Sequence, residues 1–463
     1  MPVRHSETDN KVKIKPRILA LSVSAAVWFA PVSASNLQEQ THQPQAVLSQ
    51  LISMALNNDS NRKQYFAQSQ ALRETGVASA TLMDPKIKVG FGGLPVDSFK
   101  FDEDPMTNIS VGLMQQFERG STLELQQKKS NQQADGVGLQ IDARELDVIN
   151  SMTQLWLELG YQQQAKTIML ENRRLLKEME SFIQTNYSIG KSEAQDLLNA
   201  QLQVSKLDEK LQANQQMQQR LMAQLSEWLG ANWSEQIQNV SASNQLNWTK
   251  LDQQLNENLA SSEYYQQLSL HPMVQMASQT ISTSETQVEI AQQAYQPQFG
   301  VEVMYAYRQA NGMMGEPASD LVSAYLTMDI PLFTGNRQDR NLAAAQYQVG
   351  AAKSQKDTLL AQMNAKVNAL LVDRTNLAQR LERYQSTLLP QANARIRAVE
   401  RGYQNNTSQF NDVITASADE LALQLEQQRL IADLNIVNSN LAALLDGFDY
   451  QVEPVTLAQG EQE

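Results

Sequence analysis

Between Pro105 and Pro272 the chain carries no proline, and no other feature of the sequence narrows its fold as much. Proline removes a backbone donor and clashes with the preceding helical turn, so a run without it can be one uninterrupted helix. From Ser121 to about Asn186 the run is rich in Gln, Leu, Glu, Lys and Ala, which are permissive or strong helix formers. A helix of about 65 residues is roughly 100 Å long at 1.5 Å per residue, far longer than a globular domain tolerates.

The stretch that ends this helix occurs twice. Tyr187 to Ala200, YSIGKSEAQDLLNA, returns in the second half of the chain as Tyr403 to Ala416, YQNNTSQFNDVITA. The two align Tyr187 with Tyr403, Ser192 with Ser408, Asp196 with Asp412 and Ala200 with Ala416. Shared residues at fixed spacing mark a duplicated supersecondary unit. Gly190 can take the positive φ that a tight turn asks for. After each turn a return helix carries apolar residues at alternating spacings of three and four, Leu197, Ala200, Val204, Leu207 and Leu211 in one, Leu430, Leu434, Val437, Leu441 and Leu444 in the other. That is the seam of a coiled coil.

Strand patterns precede each long helix. Ile87, Val89 and Phe91 alternate with polar or small residues, as do Ile109, Val111 and Leu113 after the loop 93–105. Phe299, Val301 and Val303 repeat the first pattern, and 322–330 the second, after a loop 309–320 with two glycines and a proline. Phe117 and Phe333 close the two hairpins at the offset of the repeated turn, yet the apolar faces near Val111 and Leu326 have opposite parity, which points to a bulge or a register slip. Ahead of the first strand, Leu48, Leu51, Ile52, Ala55 and Leu56 make one helical stripe, predicted to run on to about residue 80. Pro390 must kink the second long helix or interrupt its ladder. Trp228, Trp233 and Trp248 sit in a mixed stretch, read as an equatorial insertion in the helical column.

Residues 1–34 read as a signal peptide, with Lys11, Lys13, Lys15 and Arg17 ahead of an apolar stretch and a small-residue site at Val32 to Ala34. The expected division is then a first repeat over 35–264, a second over 265–446 and a polar tail over 447–463. Without the signal, 32 basic residues face 48 acidic ones, a balance of −16 that argues against nucleic acid as a partner. With no cysteine there is no thiolate metal site, disulfide or lipidated N-terminal Cys, and His42 and His271 lie too far apart in sequence to suggest a hydrolase or zinc centre. Met273, Met276 and the pair Met313-Met314 are soft donors, but thioethers are also common gap-fillers and no third ligand is evident, so no metal site is expected. After the signal no apolar run is long enough for a transmembrane helix, so a membrane could be entered only as a closed β-barrel. Four strands cannot close one, since small barrels need about eight, and several chains would have to contribute.

The doubled Tyr-x-x-Gly/Asn-x-Ser-x-x-x-Asp turn, AYQPQFGVEVMYAYR at 294–308, IPLFTGN at 330–336 and STLLPQANARIRAVERGYQ at 386–404 together resemble the outer-membrane efflux proteins typified by TolC, over residues 46–446. The resemblance implies a mainly α chain with a β-barrel portion and two structural repeats. It further implies a homotrimer with a twelve-strand barrel in outer-membrane lipid and a long α-helical barrel crossing the periplasm. The partners it implies are a periplasmic adaptor (membrane fusion) protein and an inner-membrane pump of resistance-nodulation-division type. DPKIKVGFGGLPVD at 84–97, followed by MTNISVGLMQQFERGSTL at 106–123, is similar to the heavy-metal branch, where the cargo would be metal ions.

On this resemblance Asp412 and Asp196 fall where relatives narrow the periplasmic entrance, with Ser408 and Thr415 in places where relatives often carry an Arg and a second Asp. Gly190, Lys191, Asn405, Asn406 and Thr407, at the turns, are candidates for adaptor contact. No cofactor or catalytic constellation is expected, and no P-loop of the GxxxxGK[ST] type occurs in the chain, so a partner would supply the energy. The competing reading is a periplasmic coiled-coil scaffold or adaptor without a barrel, against which Tyr305, Tyr307 and Tyr325 suggest an aromatic interfacial girdle.

Overall fold

The longest element has the expected place and length. In the computed structural model α3, Thr122–Ser188, is a single helix of 67 residues, about 100 Å at the α-helical rise. The structure describes residues 35–230, 233, 241–256, 264–312, 314–405, 407–450 and 454–455, with side chains from Ala46 onward. The expected signal peptide, Met313, Asn406 and most of the tail lie outside them. The chain divides between Gln40 and Thr41. Of the first part only the backbone of 35–40 is described, as the opening of helix α1.

In order, the described chain runs α1 (Ser35–Asn58), α2 (Ser60–Ser79), β1 (Lys86–Gly92), β2 (Asn108–Gln116), α3, and α4 (Ala194–Leu229). There follow the short α5 (Thr249–Asn256) and α6 (Tyr265–Leu268), then α7 (Pro272–Gln293), β3 (Gln298–Tyr307) and β4 (Leu321–Asp329). The chain ends with α8 (Gln338–Arg383), a π-helical turn (Tyr384–Leu388), α9 (Leu389–Gln404) and α10 (Phe410–Leu445). The fold is thus mostly helical with one small sheet.

The helix expected to run from Ala46 to about residue 80 is two helices. Asp59 interrupts it in an extended conformation and accepts the Arg62 N–H at 2.8 Å. Its side chain satisfies a donor that the new helix end would otherwise leave open. Pro390 does not break its helix. It cannot donate to a carbonyl one turn back, and the π turn immediately before it takes up the misfit. His271 caps α7, its Nδ1 accepting the Met273 N–H at 3.2 Å, with Pro272 at the first position where a missing N–H costs nothing.

The four strands form one antiparallel sheet in the order β1-β2-β3-β4, so the middle pair joins the two halves of the chain. One face carries Ile87, Val89 and Phe91, then Ile109, Val111 and Leu113, then Val301, Val303, Tyr305 and Tyr307, then Val322, Ala324, Leu326 and Met328. The other carries Lys88, Gly90, Ser110, Gly112, Glu302, Ser323 and Thr327, with Lys88 and Glu302 paired at 3.0 Å. Tyr325 is on this second, mainly polar face opposite Glu302, so it does not share a girdle with Tyr305 and Tyr307.

The pairing is continuous, and the parity conflict comes from neither a bulge nor a slip. The long helices α3 and α8 open at Thr122 and Gln338, which keep the offset of the repeated turn, but β2 and β4 end at Gln116 and Asp329, three short of it. The second strand-to-helix connection is therefore longer by three, and an odd insertion reverses parity. Phe117 still joins the ladder through its N–H to the Phe299 carbonyl at 2.9 Å. Phe333 lies in the longer connection and is not its counterpart.

The main core sits near the middle of α3, where Met152, Trp156 and Leu159 meet Leu48 and Ile52 of α1, Leu225 of α4, Leu251 of α5, Leu268 of α6, Val367 of α8 and Leu441 of α10. Trp233 is buried in it and Trp228 and Trp248 pack against it. Toward the turns the core thins to Ala165, Met169, Leu207 and Leu421, and then to Ile183, Ala200, Phe410 and Ile414. No described helix is long and apolar enough to cross a membrane.

Candidate functional site

The two repeated turns come together at the end of the column farthest along α3 from the sheet. At the first, Gly190 takes φ +72° while its N–H donates to the Tyr187 carbonyl at 3.0 Å and the Lys191 N–H to the Asn186 carbonyl at 2.8 Å. A Cβ there would meet nothing within 4 Å, so the dihedral, not packing, calls for glycine. At the second, the Thr407 N–H reaches back to the Gly402 carbonyl at 2.7 Å, and the Thr407 hydroxyl donates to the same oxygen at 3.1 Å. The turns thus reach the same kind of closure by different residues.

Asp412 is exposed, and it stands at the third position of α10 in a reciprocal cap. The Gln409 N–H donates to its carboxylate at 3.0 Å, while the Gln409 side chain accepts from the Asp412 backbone. This exchange satisfies two open donors at the helix end. Asp196 holds the same position in α4, where no side-chain cap bond forms at Glu193. Asp196, Lys191, Asn199, Gln409 and Asn411 line one groove of about 550 Å³. Asp412 lies outside its lining. Ser408 is half-buried beside Gly402, and Thr415 is exposed with its hydroxyl on the Asn411 carbonyl at 2.8 Å. Lys191, Asn405 and Thr407 are exposed.

Behind the turns a second groove, of about 430 Å³, opens between the end of α3 and the pair α9 and α10. Leu175, Met179, Phe182 and Ile396 give it apolar walls, and Glu400 and Glu420 place two carboxyls in them. Burial pushes the Glu420 carboxyl above the usual carboxylate range, Glu400 adds to the rise, and Arg397 opposes it. Farther along, Arg395 pairs with Asp419 at 2.5 Å and Arg380 with Glu426 at 3.1 Å, each joining the outgoing helix to the returning one.

Residue patterns in the sequence single out the paired aspartates but not the capping role of one of them. The spacing Gln409-x-x-Asp412 ahead of an apolar run was the available signal. Glu400 and Glu420 carry no local signature, because the second turn and parts of two helices separate them. Among the described residues no group of three His, Cys, Asp or Glu could hold a metal ion. Met314 stands 95% exposed in its loop.

Residues 264–447 match the model of the family described as outer membrane efflux protein. No curated protein sequence matches the chain. Solved structures do, by fold. The outer membrane protein VceC of Vibrio cholerae superposes with a TM-score of 0.70 at 16% identity, over 88% of this chain and 97% of that one. A membrane protein of Pseudomonas aeruginosa gives 0.71 at 14%, over 86% and 93%. The outer membrane channel CmeC of Campylobacter jejuni gives 0.67 at 12%, over 96% of both chains. At such identities the likeness speaks for fold, and the family match speaks for the second half of the chain. Residues 264–447 thus match the outer membrane efflux protein family, and the described chain shares the fold of solved outer membrane proteins such as VceC and CmeC.

Proposed function

We propose that the protein is a passive exit duct in the outer membrane, the last component of a tripartite efflux system whose inner-membrane pump and periplasmic adaptor deliver the solute. The observation that carries this reading is the four-stranded sheet, apolar on one face and polar on the other, with β1 and β4 each paired on one side only among the described residues. A two-faced sheet with open edges becomes stable in lipid only when copies close it into a barrel. Three copies give twelve strands, enough to enclose a polar pore. The helices, in two repeats over 35–264 and 265–446, then form a column below it.

Within this reading Asp412 and Asp196, with Ser408 and Thr415 nearby, line the periplasmic entrance. Gly190, Lys191, Asn405, Asn406 and Thr407 meet the adaptor. Three copies of an exposed aspartate attract cations and repel one another, by about 1 kcal/mol per pair at 4 Å in water and about 4 at an effective dielectric of 20. The likeness of 84–97 to the heavy-metal branch supports metal ions as one class of cargo. Members of such a channel family move solutes and catalyse nothing.

The test is single-channel conductance of the protein in planar bilayers, wild type against Asp412→Asn. Asparagine keeps an oxygen for the Gln409 N–H while removing the charge. A small cation-selective conductance that grows or loses selectivity in the variant supports a duct with Asp412 at its entrance. Unchanged conductance removes Asp412 from the entrance and leaves the duct. No conductance from inserted protein of either kind, with the tips also truncated, sinks the duct.

A further inference from the structure

The three extra residues that reverse strand parity lie in the connection from β4 to α8, residues 330–337, and this connection is unusually apolar for an uncovered loop. Ile330 is 50% exposed, Leu332 75% and Phe333 90%. The matching connection of the first half, 117–121, has a single large apolar residue, Phe117, which is 38% exposed and joins the sheet through its backbone N–H.

We propose that Ile330, Leu332 and Phe333, with Arg337 and Arg340, form an interfacial anchor that seats on phospholipid of the leaflet facing the periplasm. The proposal rests on the barrel reading above. Two observations choose lipid as the occupant. Ile330 and Leu332 continue the even-numbered alternation of Val322, Ala324, Leu326 and Met328, so these two prolong the apolar face of the sheet past its last paired residue, and Phe333 follows them where no strand pairing fixes the face it takes. Pro331 biases the residue before it, Ile330, toward extended backbone. Then the sign of charge changes. In a chain of net charge −13, Arg337 and Arg340 are exposed at the start of the helix, and the carboxylate between them, that of Asp339, accepts from the Tyr295 hydroxyl at 2.7 Å.

An apolar wedge followed by arginines is the arrangement in which side chains enter the acyl boundary while guanidinium groups reach phosphate. Hydrogen bonds and an ion pair hold the two ends of the loop. Arg337 N–H and Asp339 N–H both return to the Thr334 carbonyl at 3.1 Å. Arg119 clamps the strand end by pairing with Asp329 and donating to the Gln296 carbonyl at 2.6 Å.

The experiment places a tryptophan in the full protein by Phe333→Trp and reconstitutes it in phosphatidylethanolamine and phosphatidylglycerol vesicles, with or without bromine on the acyl chains. Val89→Trp, on the apolar sheet face, serves as reference. Bromine quenching of the added emission in both variants, with that of Phe333→Trp weakened by Arg337→Glu and Arg340→Glu, is the expected result. Quenching for Val89→Trp alone overturns the anchor and assigns the loop to another copy of the chain or to water, while the barrel stands. Quenching for neither overturns the barrel and the anchor with it.

Discussion

Arg429 of α10 and Glu158 of α3 meet at 2.5 Å, and the same guanidinium pairs with Asp433 and lies 4.8 Å from the centre of the Tyr161 ring. Burial works against its charge, but the two carboxylates prevail and hold its pKa above the ordinary value. On the neighbouring turns of α10, Gln428 accepts from Asn244 at 2.9 Å and Asn435 from the Trp248 indole at 2.7 Å. One face of α10 therefore fixes both the long helix and the insertion.

Half-buried ion pairs exceed the small worth of exposed ones, so the Arg429–Glu158 coupling should reach about 1 kcal/mol or more. A double-mutant cycle with Arg429→Met and Glu158→Gln, read by thermal unfolding in detergent, measures it. A coupling that vanishes in moderate salt would reduce the pair to a surface contact.

Gly160 gives a second prediction, because its sign contradicts helix propensity. An exposed glycine inside a helix gains about 1 kcal/mol on change to alanine. At Gly160 a Cβ would stand 2.6 Å from the Ser243 carbonyl oxygen and from the Asn244 nitrogen. Both are backbone atoms and cannot swing away. Gly138, in the same helix, has nothing within 4 Å. Gly160→Ala should therefore lower the melting temperature and Gly138→Ala raise it. Equal shifts would mean that the insertion yields.

The unequal legibility of this fold has physical causes. The helical seams could be read because neighbours at three and four residues make their contacts within one element, and Ala200, Val204 and Leu207 are indeed buried. Strand pairing is non-local, so nothing near Tyr325 told which face it takes. A three-residue insertion in the connection that follows the strand decided that. The break at Asp59 was hidden by an apolar stripe that ends just before it, although Asp59 followed by Ser60 had the composition of a helix start. Asp412 was found by its repetition, which says that a residue is kept in place but not whether for a cap or for a pore.

That break at Asp59 is held by charges. Arg62 is 3% exposed in its side chain, pairs with Glu145 and donates to the Leu56 carbonyl at 2.7 Å, while Arg144 pairs with Asp59 at 2.8 Å. Burial pushes the Glu145 carboxyl upward and Arg62 restrains it. Removing one partner of a buried pair costs about 3–5 kcal/mol, whereas replacing both by apolar groups costs little. Arg62→Met should thus destabilise strongly, and Arg62→Met with Glu145→Leu should recover most of the loss in thermal unfolding. Additive losses would show that Arg62 acts through Leu56 alone.

Glu420 should make the end of the column near the turns sensitive to pH. Its carboxyl is raised first by burial and then by Glu400, against the pull of Arg397, and it accepts from Gln424 at 3.3 Å. A carboxyl whose pKa is higher folded than unfolded binds its proton more tightly when folded. Its contribution is present below the unfolded value of about 4.3 and is lost as pH rises through the folded one. Above that window the groove between α3, α9 and α10 holds two like charges in apolar walls. Hydrogen exchange over residues 396–424 should accordingly be slower, after correction for intrinsic rates, below about pH 4.3 than near about pH 7.5. Glu420→Gln should abolish the difference and slow exchange at the higher pH. If the difference survives in that variant, the pH response of the turns arises elsewhere.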